Sequence, residues 1–186
     1  MKFIILSDFV ANEMHLKYLD RNWDEVAKYL LDFNLTIPVE EHAGVAKKIK
    51  KHYFGLKPID KTTIGPLIKL IGDRIFVVDA EKAARLQAKA NKSPVWFYYY
   101  SYRAAQSLSD IMSGTKENFG ILIYLNHILL AFPKMINNKK SSIGVCHADD
   151  TYLVIEQHYI DPTTTENDRA MQKDLLKFWV SVATNG

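Results

Sequence analysis

Apolar positions along this chain follow two periods, and the elements they predict come as a helical stretch bracketed by strands, then a loop-rich half. Phe3 to Val10 is an apolar run with Asp8 near its end and reads as a buried strand. From Asp24 to Phe33, the residues Val26, Ala27, Leu30 and Leu31 lie at helical spacing, and Thr36-Ile37-Pro38 breaks the pattern. Glu40 to Phe54 reads as a second amphipathic helix with Ala43, Ala46, Ile49 and Phe54 inward, stopped by Gly55. Pro66 to Ile71 predicts a short helix ending at Gly72, with Asp73 capping a longer one that runs to about Lys92. Pro94 to Tyr102 is valine, tryptophan, phenylalanine and tyrosines, which predicts an interior strand covered on both faces. After a polar, loop-like stretch from Ala104, an apolar segment spans 119–136, and Asn137 to Ser142 reads as a surface loop. A short helix ending at Ile155 is capped by Asp149 or Asp150. The last helix, Asn167 to Ala183, is capped by Thr165 and carries a core stripe of Met171, Leu175, Phe178 and Val182.

Composition narrows the class. A chain of 186 residues is one domain's worth and can bury a core, and 48% hydrophobic with 24% charged residues fits a soluble globular protein. A net charge of +3 is small and dispersed, and Lys47, Lys48, Lys50 and Lys51 read as a solvated helix face. The aromatic stretch at 94–102 could stack bases, yet no basic groove flanks it, so nucleic acid is not an expected partner. The apolar run after Lys2 ends too soon for the roughly 7–15 residues of a signal-peptide core. Phe119 to Ile136 is interrupted by Gly120, Asn126, His127, Pro133 and Lys134, short of the roughly 20 apolar residues of a membrane span. The single cysteine, Cys146, excludes an internal disulfide. Neither a Gly-x-Gly-x-x-Gly nor a P-loop is present, and no cofactor or metal is expected.

The stretch that carries chemistry is Gly144-Val145-Cys146-His147-Ala148-Asp149-Asp150. Histidine titrates nearest neutral pH and is the default proton carrier. Gly144 permits a tight backbone approach, and Ala148 keeps bulk away from the ring. From the residues alone, His147 reads first as a solvated or hydrogen-bonded bystander, as a loop histidine more often is. Cys146 beside it raises a thiol nucleophile, but adjacent side chains point apart and no papain-like or caspase-like context surrounds it. Glu13, just past the first strand, either opens the next helix or reaches into a crevice at the sheet edge.

The heptapeptide resembles the histidine loop of the type-B carboxylesterases, the esterase/cholinesterase family of α/β-hydrolases, and is most similar to the insect members. The family pattern there is Gly-x-x-His-Gly/Ala-x-Asp/Glu. Three further stretches are similar in the same order. These are Phe9-Val10-Ala11-Asn12-Glu13; Asp73-Arg74-Ile75-Phe76 with Ala83, Ala84 and Ser93 to Tyr100; and Asn167-Asp168-Arg169 with Met171, Leu175, Phe178-Trp179-Val180, Ala183-Thr184 and Gly186. The resemblance implies the fold class α/β, the C-terminal part of an α/β-hydrolase with few central strands flanked by helices. It implies His147 as general base, Glu13 as triad acid and Asp150 as an orienting acid behind the histidine. Met14 departs from the glycine usual after the acid, and the segment 119–136 has no counterpart in the pattern.

Such enzymes order their triad as serine, acid, histidine, with the serine on a Gly-x-Ser-x-Gly elbow. No Gly-x-Ser-x-Gly occurs here. The chain is therefore expected to be the C-terminal portion, residues 1–186, of a longer serine esterase acting on small-molecule esters, with the missing N-terminal part of the fold as its partner. The full-length relative is expected to be secreted. Two other readings stand beside it: an inactive esterase-like domain for adhesion or ligand sequestration, and a generic α/β scaffold with a coincidental histidine loop.

Overall fold

The structure, a computed structural model, describes residues 12–109, 144–156 and 160–185. The expected strand Phe3–Val10, the segment around 119–136 with His127, the loop 137–142, His158 and Gly186 lie outside them. The chain divides between Val95 and Trp96 into two compact units.

The first unit is helical. Helix α1 (Glu13–Arg21) starts at Asn12, whose side chain accepts the Met14 N–H at 2.9 Å. It buries Leu16 and Leu19. Helix α2 (Trp23–Leu30) begins one residue before the expected Asp24, because Trp23 is an anchor rather than a linker. Its indole Nε1 donates to the Ala46 carbonyl at 2.7 Å in the interior, and its ring meets Phe54 edge-on at 6.0 Å. A 3-10 turn, Val39–Glu41, leads into α3 (His42–Phe54), and Gly55 ends it at φ 63°, a left-handed value that favours glycine.

One inward position differs from expectation on α3. Ala43 is exposed and His42 is buried instead. The His42 ring stands edge-on to Phe33 at 5.7 Å with Nε2 2.9 Å from the Ile37 carbonyl, so the preceding turn sets which face points in.

A second 3-10 turn, Lys61–Thr63, is closed by an Asp60–Thr63 capping box and opens α4 (Ile64–Gly72). The expected break at Gly72 does not occur. Gly72 is helical at φ −61°, and the chain passes through a π turn, Asp73–Val77, into α5 (Val78–Ala90). Asp73 is accordingly not a cap. Its carboxylate accepts the Tyr53 hydroxyl at 2.8 Å and Lys69 Nζ at 2.6 Å. Arg74 Nε donates to the Leu31 carbonyl at 2.7 Å, so the widened turn lets two adjacent side chains reach α3 and the end of α2. The core is one cluster: Leu16, Leu19, Trp23, Ala27, Leu31, Phe33, Ala46, Phe54, Ile59, Leu67, Leu70 and Ile71. Each large side chain so buried contributes about 1.5–3 kcal/mol.

In the second unit, residues 94–104 carry no regular secondary structure, and no strand occurs among the described residues. Trp96, Phe97 and Tyr99 are exposed rather than sandwiched. Their β-propensity is a preference for a pleated, partnered surface, and no described segment supplies a ladder for it. Helix α6 (Asp149–Val154) is short, as expected, and α7 (Glu166–Asn185) is the long final helix. Thr165 and Asp168 close its start reciprocally: Thr165 Oγ1 accepts the Asp168 N–H and Asp168 Oδ2 accepts the Thr165 N–H, both at 3.1 Å. Leu175 is its buried apolar residue, with Met171, Phe178 and Val182 half-buried on the same face, as their spacing required. Gln172 ties α7 to α6 through the Leu153 carbonyl at 2.9 Å. No helix of the described residues is long and apolar enough to cross a membrane.

Candidate active site: the histidine turn

His147 is exposed at the corner of a tight turn that precedes α6. The Asp149 N–H donates to the Cys146 carbonyl at 3.1 Å, closing four residues, 146 to 149. Ala148 holds φ 75° and ψ 3°, the backbone of the third residue in a type II turn, a position that favours glycine. Gly144 lies at φ 97°, and an added Cβ would meet nothing within 4 Å. The glycine is thus required by its backbone angle and not by close approach. Ala148 likewise serves the turn through its backbone, while its small side chain limits the strain.

Asp149 is the centre of the arrangement, 5% exposed. Its Oδ1 accepts the Ser107 hydroxyl at 2.9 Å and the Leu108 N–H at 3.0 Å. Its Oδ2 faces the same hydroxyl at 2.7 Å and accepts the Cys146 N–H at 2.8 Å. Ser109 Oγ donates to the Gly144 carbonyl at 3.2 Å, and the Ser109 N–H reaches Ser107 Oγ at 3.0 Å. Charge-assisted bonds in a dry setting are worth about 1.5–3 kcal/mol each, which makes this a strong clasp.

Asp150, the acid expected to orient the histidine, accepts the Tyr98 hydroxyl at 2.6 Å and the Thr151 N–H at 2.9 Å. Burial, with the Asp150 carboxylate beside it, pushes the Tyr98 hydroxyl up to about 12. The Tyr98 ring packs edge-on against Phe178 and Trp179 of α7, at 5.6 and 5.5 Å. Asp168, also buried, accepts the Tyr102 hydroxyl at 2.8 Å and the Ala105 N–H at 3.2 Å. Burial raises the Asp168 carboxyl, but the bonds from Thr165, Tyr102 and Ala105 outweigh it and hold the group below its ordinary value. The stretch 98–109 is therefore tied to three acids of the histidine turn and α7.

Burial and the neighbouring Asp149 push the Cys146 thiol up to about 12, so it carries little thiolate at neutral pH. Among the described residues no three His, Cys, Asp or Glu side chains converge as a metal site requires. Glu13 belongs to the first unit and lies exposed in the first turn of α1, where Lys17 and Lys61 pair with it at 3.1 and 3.3 Å. Hydrogen bonds from those lysines hold its carboxyl below the usual range. Those are the surroundings of a carboxylate at a helix start.

Residues that sequence reasoning passed over are Asp149 as a buried acceptor, Ser107, and Tyr98 as the partner of Asp150. The glycine or alanine that the resembled family pattern carries one place after the histidine fits the left-handed backbone of Ala148.

A profile of the Carboxylesterase family matches residues 5–186. The chain is 42% identical over 180 residues to venom carboxylesterase-6 of Apis mellifera, covering 97% of this chain and 28% of that protein. It is 43% identical over 183 residues to a carboxylic ester hydrolase of Bombus ignitus, covering 98% and 28%. Esterase E4 of Myzus persicae is 32% identical over 184 residues, covering 98% and 29%. The chain thus spans less than a third of the length of these relatives.

Proposed function

Because this chain belongs to the carboxylesterase family, whose members share the α/β-hydrolase fold, we propose that it is the histidine-bearing portion of a serine ester hydrolase. The observation that carries the reading is His147 held exposed on a turn whose backbone is clasped by a buried carboxylate. An acyl-transfer base needs an imidazole open to its substrate and fixed in direction.

The mechanism is ester hydrolysis through an acyl-enzyme. A serine outside these 186 residues attacks the ester carbonyl while His147 takes its proton. His147 then returns a proton to the departing alcohol, and activates water in the second half-reaction. Glu13 is assigned the triad acid by resemblance, stabilising the imidazolium. That role requires it to exchange Lys17 and Lys61 for the imidazole. Asp150, buttressed by Tyr98, is assigned an orienting role behind the histidine by the same resemblance. The two units belong to one esterase domain, with 119–136 as an insert. The substrates are small esters, the partner is the polypeptide that bears the serine, and the site of action is extracellular, in keeping with the venom of the Apis relative's name.

The chain on its own lacks the nucleophile, which is worth on the order of 10⁶ in rate for serine hydrolases. The test is p-nitrophenyl acetate turnover by the protein expressed together with its serine-bearing portion. His147→Ala should abolish turnover, and the 186-residue chain alone should show none. Turnover by the chain alone that depends on His147 would overturn the missing-nucleophile reading. Full activity in His147→Ala would overturn the base. Glu13→Gln should lower kcat roughly 10⁴-fold if it is the triad acid, and an unchanged kcat would return Glu13 to its helix. No turnover by the assembled wild type would favour an inactive, ligand-sequestering domain.

A further inference from the structure

We propose that Asp149, with Ser107 behind it, is the positioning residue of the histidine base: a buried carboxylate whose task is to fix the turn that aims His147. The proposal rests on the reading of His147 as general base and adds the device that sets its direction. Three donors converge on one carboxylate, the N–H of Cys146, the N–H of Leu108 and the hydroxyl of Ser107. The residue just before His147 is thereby tied to a separate stretch of chain. The same stretch holds the loop again two residues earlier, where Ser109 Oγ donates to the Gly144 carbonyl. Asp149 also closes the turn from its own backbone, donating to the Cys146 carbonyl. His147 and Ala148 are the two residues left between these fixed points, so the Cα–Cβ direction of His147 follows from the clasp.

The charge type matters. Both oxygens of Asp149 accept, and an amide would turn an NH₂ toward an N–H donor on one side. A carboxylate present only for stability would not need to engage the N–H of the residue that precedes the histidine. Displacing a reacting group by about 1 Å can cost roughly 10² in rate, so a slack clasp should appear in kcat first.

The experiment uses the esterase expressed with its serine-bearing portion. The variants are Asp149→Asn, Asp149→Glu, Ser107→Ala and, as control, His147→Ala. The readouts are kcat and KM for p-nitrophenyl acetate and hydrogen exchange of the peptide spanning 144–150. Asp149→Asn should lower kcat about 100-fold with KM within twofold, and Ser107→Ala about 10-fold. Exchange across 144–150 should quicken in both, and Asp149→Glu should recover part of the loss. Folded Asp149→Asn or Ser107→Ala with kcat within twofold of wild type would overturn the proposal, as would a change confined to KM. If Asp149→Asn does not fold, Ser107→Ala decides by the same criterion. A dead His147→Ala beside a fully active Asp149→Asn sinks positioning alone, whereas an active His147→Ala sinks the base reading itself.

Discussion

Exchanging the side chains of the two left-handed positions in the histidine turn should move stability in opposite directions. Ala148 holds φ 75° and ψ 3°. A non-glycine residue in that region costs about 1–2 kcal/mol relative to right-handed backbone. Ala148→Gly relieves that cost while enlarging the unfolded ensemble by about 0.4–1 kcal/mol. The net is a stabilisation of roughly 0.5–1 kcal/mol. Gly144 lies at φ 97°, further from the left-handed basin, with open space around its would-be Cβ. Gly144→Ala meets no clash, so its entire cost is backbone strain, about 1–3 kcal/mol, less the same 0.4–1. It should destabilise by roughly 1–2 kcal/mol. Urea denaturation with matched m-values reads both, and thermal midpoints should shift by about 2–4 °C per kcal/mol. If Ala148→Gly destabilises, the left-handed angle at 148 and the turn built on it are not held in the folded protein; if Gly144→Ala is neutral, the angle at 144 is not.

Trp23→Phe keeps an aromatic ring but removes the donor to the Ala46 carbonyl, and should cost about 1–3 kcal/mol in the same urea titration; a neutral result would mean that bond is not formed. Gly44 is a helical glycine in α3 with nothing within 4 Å of an added Cβ, so Gly44→Ala should stabilise the protein by about 0.5–1 kcal/mol, and a loss would show crowding there. The depressed Asp168 carboxyl contributes stability that is complete above its unfolded value near 3.8 and is lost as pH falls through its lower folded value. The acid limb of the stability profile, followed by near-ultraviolet dichroism, should therefore flatten in Asp168→Asn; an unchanged limb would assign acid sensitivity elsewhere. Tyr98→Phe should free Asp150 and loosen exchange at Thr151, which hydrogen-exchange mass spectrometry reads directly.

Helices whose apolar residues also meet neighbours in sequence were legible: α2 and α3 lie within three residues of their periodicity at either end, and Gly55 ends α3 as its type demands. The joint at Gly72 was misread because glycine before aspartate is a stop-and-start signal only where the backbone leaves the helix. Here tertiary contacts from Asp73 and Arg74 keep it wound. The aromatic stretch misled for a different reason. Strand propensity is satisfied only by a neighbour, which local sequence does not reveal. At the site, the loop and its histidine were visible, but two adjacent aspartates are indistinguishable until the phase of α6 is known. That phase sends Asp149 inward to Ser107 and Asp150 to Tyr98, and no pattern linked residue 149 to a serine 42 positions earlier.

The π turn at 73–77 also carries an angular consequence. One surplus residue in a helix rotates everything downstream by about 100° around the axis. Excising a single residue there would mend the regular ladder yet swing the Glu81–Arg85 edge of α5 to another azimuth, leaving its composition untouched. Length variation that a surface loop absorbs silently would, at this joint, re-aim a 13-residue rod.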